Sequence, residues 1–237
     1  MSTESFNFNK FIQDSIATIT RPKEYFESLK LDGGLGEPII KAVIYGVIAG
    51  IFSLIWSVLN IGAVAGGVFG GAVGIMAFVW AVIGAIIGLF IGAVIILIVS
   101  AICGGSTDFE ANLRVTASLM VLMPVGAFFG FFTAINFTLG MVISLAINLF
   151  GLYLLYWALI GSLKAKAGTS KIVAFVLAAL IVLSMLVGMG AKRTANKFLK
   201  EYGIETNEGE RNFDQMAKDM EKALKEMQEE KEDISKD

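Results

Sequence analysis

Between residues 42 and 191 the chain reads as long apolar tracts separated by a few polar points, and its charges cluster at the two ends. No charged side chain lies between Lys41 and Asp108, between Arg114 and Lys164, or between Lys171 and Lys192. A helix crossing the hydrocarbon of a bilayer needs about 20 apolar residues. The pattern therefore predicts membrane spans near 41–60, 75–101, 113–132, 138–161 and 171–191. A charge at mid-span costs about 2.5 to 3.5 kcal/mol on insertion scales, while a central Leu or Ile contributes only about −0.3 to −0.6. The scarcity of charge is thus what lets these tracts insert. Segment 61–74, IGAVAGGVFGGAVG, is apolar but so rich in Gly that it reads as a loop, a re-entrant piece or the start of a sixth helix.

Before the first tract, Phe8, Phe11, Ile12, Ile16 and Ile19 fall at helical spacing, with Lys10, Gln13 and Asp14 on the other face. This predicts a short amphipathic helix, lying on the membrane surface or packed on the spans. Arg21-Pro22 interrupts it, because the residue before proline is disfavoured in the α region. A second short piece runs from Pro22 to Leu31, and LDGGLGEP makes the turn into the first span. After residue 191 the composition reverses to dense charge of both signs. There Phe213, Met216, Met220, Leu224, Met227 and Ile234 form one stripe, which predicts a helical tail or a solvated, frayed one.

The expected fold class is therefore all-α: a polytopic membrane helix bundle of about five spans, an amphipathic N-terminal helix and a charged C-terminal helical tail. The expected divisions are an N-terminal segment at 1–40, a membrane domain at 41–191 and a soluble tail at 192–237. With five spans, Arg21, Lys23, Lys30, Lys41, Arg114, Lys164, Lys166 and Lys171 share one side, and Lys192, Arg193, Lys197 and Lys200 the other. The larger set predicts a cytoplasmic N-terminus. The basic cluster that opens the tail conflicts with that parity. Tyr153, Tyr156 and Trp157 suit an aromatic belt at the headgroups, and Trp56 suits the far end of the first span.

At 56% hydrophobic and 17% charged, the composition agrees with a membrane class. With a net charge of −2, no nucleic-acid partner is expected. The chain has no His and a single Cys, so it lacks an imidazole base, a His metal ligand and an internal disulfide. Neither a catalytic motif nor a paired carboxylate lies within a span, so no enzymatic activity, cofactor or metal is expected. Gly84, Gly88 and Gly92, like Gly66, Gly70 and Gly74, recur every four residues, a spacing that lets helix backbones approach. Pro124 is expected to kink its span, and Asn136, Ser144 and Asn148 are polar positions within apolar surroundings.

The one polar constellation between spans is CGGSTDFEANLRV at 103–115. Thr107 and Glu110 have capping-box spacing, Asp108 favours a helix N-terminus, and Glu110 and Arg114 are a four-residue pair. The segment therefore starts the third span, and Asp108, Glu110 and Arg114 are also candidates for contact with a partner. Cys103 beside it has no adjacent cation and reads as an inert thiol.

RPKEYFESL at 21–29, EPIIKAVIYGVIAGIF at 37–52, CGGSTDFEANLRVTAS at 103–118, Pro124 and NLFGLYLLYWALIGSL at 148–163 together resemble the Yip domain family, the Ypt-interacting proteins. The resemblance covers residues 18 to 191 or so. It implies five transmembrane helices with a cytoplasmic N-terminus, and adds Arg21, Pro22, Tyr25 and Phe26 to the candidate contact residues. Eukaryotic members reside in endoplasmic reticulum and Golgi membranes, bind prenylated Rab GTPases and act in vesicle traffic. This chain lacks their long N-terminal region and acidic-Leu-Tyr-Gly-Pro motif, and it is closer to the short prokaryotic members, so Rab binding is not carried over. The expectation is a non-enzymatic adaptor or organising scaffold in a prokaryotic cytoplasmic membrane. Its expected partners are the bilayer and a membrane or cytoplasmic protein, with a homo-oligomer also open. The alternative is a small-solute permease or channel, suggested by the Gly-rich second span with Asn136 and Asn148.

Overall fold

The computed structural model describes residues 6–59 and 70–201, with side chains described at 6–59 and 74–187. The tail stripe from Phe213 and residues 60–69 of the Gly-rich segment lie outside the described residues. Every described element is helical: α1 (Phe8–Thr20), α2 (Pro22–Ser28), α3 (Gly36–Val58), α4 (Gly70–Ile102), α5 (Phe109–Leu119), α6 (Leu122–Phe129), α7 (Phe132–Ile135), α8 (Phe137–Trp157) with a π-helical turn at Ala158–Ser162, and α9 (Ala167–Glu201).

Five helical stretches among the described residues are long and apolar enough to cross a membrane: Gly36–Val58, Gly74–Ile102, Phe109–Ile135, Phe137–Ser162 and Ala167–Val187. The first, third and fifth begin a few residues earlier than the apolar tracts predict. Their opening turns carry polar side chains, among them Glu37 and Lys41, Glu110 and Arg114, and Lys171. Pairing or a place at the headgroups removes the cost that would bar such groups from the hydrocarbon. Large apolar side chains on α4 and α9, such as Ile87, Ile91, Ile98, Phe175, Leu183 and Val187, face outward, as lipid-facing positions should.

The third span is broken twice. Pro124, in the first turn of α6, has no N–H to offer Met120 four residues back. The Met120 carbonyl accepts from Met123 N at 2.9 Å instead, and the chain turns between α5 and α6. The expected kink at Pro124 is thus a break just before it. A second break follows Phe129.

α5 sits at the centre of one end of the bundle. Ala111 and Val115 pack into a cluster with Phe26, Leu154, Leu159 and Leu163. Leu113 and Ala117, on the other side of the helix, pack into a second cluster with Phe11, Ala42, Tyr45 and Leu89. A helix buried all round must satisfy its polar groups locally. Accordingly Thr116 Oγ1 donates to Asn112 O at 2.7 Å and Ser118 Oγ to Arg114 O at 3.0 Å.

The four-residue glycine spacing meets a neighbouring helix at some positions and not at others: a Cβ at Gly74 would meet Ser57 Cβ of α3 at 3.0 Å. A Cβ at Gly92 would meet Thr116 Cγ2 at 2.8 Å, but at Gly84 and Gly88 it would meet nothing within 4 Å among the described residues. α3 and α4 approach closely along more of their length, where a Cβ at Gly46 would meet Ala85 Cβ and one at Gly50 would meet Phe78 Cδ2, each at 2.7 Å. Spacing fixes which residues share a helix face, whereas the neighbour's position decides which face is used. Trp56, at the far end of α3, donates from Nε1 to Ala127 O at 3.0 Å and so ties the first span to α6.

Candidate functional site

Both N-terminal helices and the loops at 29–35, 103–108 and 163–166 gather at the same end of the bundle, where a charged hub joins α1 and the 29–35 loop to α3 and α5. Arg114, only 5% exposed, is its centre. Nε donates to Glu110 Oε1 at 3.2 Å, Nη1 to Glu37 Oε2 at 2.9 Å, and Nη2 to the Gly34 carbonyl at 2.8 Å. Glu110 Oε1 also accepts the Gly34 N–H at 2.6 Å, so the Arg114–Glu110 pair grips both sides of one peptide residue. The chain wraps this closely because Gly33 and Gly34 take φ of +118° and +90°. A Cβ at Gly33 would press on Arg114 Nη2 at 3.0 Å.

Glu37 links this half of the hub to a second buried cation. Its Oε1 lies 2.9 Å from Lys41 Nζ, whose other carboxylate partner is Asp14 of α1 at 3.2 Å. Lys41 is 5% exposed. Buried charges persist only when paired, and here two cations share three carboxylates drawn from α1, α3 and α5. Hydroxyls extend the hub on both sides. Tyr45 OH and Ser15 Oγ are 2.7 Å apart, and Tyr25 OH and Ser118 Oγ 2.8 Å apart. Burial pushes the Tyr25 phenol above its ordinary value, against the opposing pull of Lys41.

α1 packs on the bundle through one face. Phe11 packs on Tyr45 with ring centroids 5.1 Å apart, while Phe8, Ile12 and Ile16 on the adjacent flank are exposed. α2 lies against the π-helical turn: Ser162 Oγ donates to Phe26 O at 2.6 Å, and Gly161 meets the Phe26 backbone. Lys23 Nζ sits 5.6 Å from the Trp157 ring centre.

The CGGST segment is a loop clasp. Ser106 N donates to Leu163 O at 2.8 Å and Lys166 N to Cys103 O at 3.0 Å. Gly104 adopts φ +69°, and a Cβ at Gly105 would meet Ser100 Oγ at 2.6 Å and Leu163 O at 2.9 Å. Among the described residues, Lys164 is the non-glycine residue with positive φ, at +56°. The cap of α5 differs from the expected Thr107–Glu110 box. Asp108 is the N-cap, accepting from Ala111 N at 2.7 Å, because Glu110 is already committed to Arg114 and Gly34.

The seven residues expected to contact a partner divide accordingly. Pro22, Tyr25, Phe26 and Arg114 are buried within the chain, which corrects their expected exposure: they hold α2 and the loops onto the bundle. Arg21 and Asp108 are exposed, and Glu110 is partly so. Arg21 faces Glu24 at 3.9 Å, a loose solvent-exposed pair. Between α1 and α2 a groove of about 430 Å³ is lined by Gln13, Asp14, Ile16, Ala17, Arg21, Glu24, Tyr25 and Ser28. Sequence reasoning missed Glu37, Lys41 and Gly34 as members of the hub. A charged pair four residues apart at the mouth of an apolar tract was the available signal for the first two.

The family model for the Yip1 domain matches residues 16–191. Among curated proteins and solved structures, none matches the chain. All five spans, the loop clasp and the hub except Asp14 and Ser15 fall within the matched residues, and the chain belongs to the Yip1 domain family.

Proposed function

We propose that this membrane protein of the Yip1 family is a non-enzymatic adaptor or membrane-organising scaffold. It lies in a prokaryotic cytoplasmic membrane with its N-terminus in the cytoplasm, and a cytoplasmic or membrane protein docks between α1 and α2. The observation that carries this reading is the charged hub, which ties α1 to the ends of the spans through Asp14 and Lys41, together with the Tyr25–Ser118 and Ser162–Phe26 contacts that hold α2. A groove with exposed Gln13, Arg21 and Glu24 lies between the two held helices. Preorganised surfaces bind at lower entropic cost than loose ones. The excess of Lys and Arg at this end supports its cytoplasmic placement.

The test is crosslinking in native membranes followed by affinity capture and mass spectrometry. Charge reversal by Arg21→Glu with Glu24→Arg is expected to abolish capture of a stoichiometric partner, while Leu59→Ser, at the opposite end of α3, leaves it intact. Equal capture by both variants would remove the groove from the model. Capture by none, with solute flux in liposomes, would transfer the assignment to a permease.

A further inference from the structure

α8 crosses the membrane region with a half-satisfied amide on its outer surface. Asn148 lies near the middle of the span Phe137–Ser162, and it and Ser144, one turn earlier, are both exposed. Asn148 Nδ2 donates to Ser144 O at 2.7 Å, with Ser144 Oγ 3.4 Å away. That contact sets the amide's orientation, since a flipped amide would oppose two carbonyl oxygens. Oδ1 and the second amide hydrogen therefore point away from the backbone. Among the described residues Oδ1 has no hydrogen-bond partner, although α6, α7 and α9 all pack on α8.

Lipid tails offer such a group nothing, and at the level of the hydrocarbon an unsatisfied polar group costs several kcal/mol. A carboxamide is self-complementary, because it carries donor and acceptor side by side. Two copies related by a two-fold axis satisfy each other with a single residue type. Met141, Ser144 and Asn148 also fall on one side of α8 at three- and four-residue spacing, the seam geometry of paired helices. Ser144 at the seam is small enough for close approach.

We infer that two copies of this chain associate in the bilayer along this seam, Asn148 Nδ2 of each donating to Asn148 Oδ1 of the other. Hydrogen-bond complementarity is what favours a second copy over an unrelated apolar helix. The opposite flank of α8, with Val142 and Leu149 exposed, carries only apolar side chains at those positions and faces lipid.

The test uses the full chain in native membranes with its single thiol removed by Cys103→Ser. Asn148→Cys and Ser144→Cys are expected to give a covalent homodimer on mild oxidation, and Val142→Cys and Leu149→Cys are not. In liposomes, Asn148→Leu should weaken self-association by about threefold to thirtyfold, the range for interhelical polar contacts in membranes. Asn148→Gln, which keeps the amide, should remain closer to the parent. Equal crosslinking on both flanks, no homodimer, crosslinking through position 148 to a different protein alone, or unchanged association of Asn148→Leu would each overturn the inference. The crosslinking series does not depend on how stable the Leu variant is.

Discussion

Arg114 and Glu37, 77 positions apart in the chain, meet at 2.9 Å at the point where the first and third spans enter the membrane region. Neither end of that contact is free to leave. Arg114 also holds Glu110 and Gly34, and Glu37 also holds Lys41. Breaking a buried pair by deleting one partner costs more than the pair itself contributes, because the other charge stays behind.

Arg114→Ala is therefore expected to destabilise the folded protein by about 3 kcal/mol. The loop at 29–35 should detach first, since its Gly34 carbonyl loses its donor. Arg114→Lys should recover only part of the loss, because an ammonium cannot fork to Glu110, Glu37 and Gly34 at once. Thermal unfolding in detergent gives the stability, and protease nicking within 29–35 reports the loop. Parent-like protection of that loop in Arg114→Ala would refute the hub.

Tyr25→Phe removes one buried hydroxyl contact and should cost about 1 kcal/mol, because Ser118 Oγ keeps its bond to Arg114 O. A pH signature follows. The folded-state value of Tyr25 is raised above its ordinary 10.0. Its contribution to stability is fully present below 10.0 and is lost as the pH rises from there through the higher folded value. The parent should thus lose stability in strongly alkaline buffer more steeply than Tyr25→Phe, as followed by unfolding midpoints across that range. Parallel curves would contradict the burial of this phenol.

Glycine substitutions should separate contact from spacing. Gly46→Ala forces a Cβ against Ala85, and Gly105→Ala forces one against Ser100 and Leu163 O, so each should cost about 1 to 3 kcal/mol. Gly84→Ala meets open space and should leave stability unchanged or raise it by up to about 1 kcal/mol through helix propensity. A loss at Gly84 equal to that at Gly46 would show that a helix packs there in the membrane.

Lys164 ends the π-helical turn in a left-handed conformation that a glycine usually occupies. Its Nζ donates back to Gly161 O at 2.6 Å, which offsets part of the backbone cost. Lys164→Gly is expected to be neutral or to stabilise by up to about 1 kcal/mol, and Lys164→Ala to destabilise, since it keeps the strain and drops the bond. Unfolding midpoints ranked Gly, Lys, Ala from highest to lowest would agree; Ala above Lys would not.

The helical membrane class and the positions of the five spans, to within a few residues, follow from the order of residues along the chain. Insertion cost is a local property, so the gaps from Lys41 to Asp108 and from Arg114 to Lys164 carry the answer without any knowledge of neighbours. The break at Pro22 and the Glu110–Arg114 pair were legible for the same reason, since each depends on residues one turn apart or fewer. What Arg114 does with its remaining donors, which of the glycines touch another helix, and the inward facing of Tyr25 and Phe26 emerge only from the folded arrangement. Each of these depends on where a distant segment comes to rest: Glu37 and Gly34 against α5, Ala85 against Gly46, the π-helical turn against α2. Chain distance leaves no periodic trace of such a meeting. The charged residues at the mouths of the spans therefore looked in sequence like groups offered to a partner, and in the folded protein most of their bonding capacity is spent holding the N-terminal helices to the bundle.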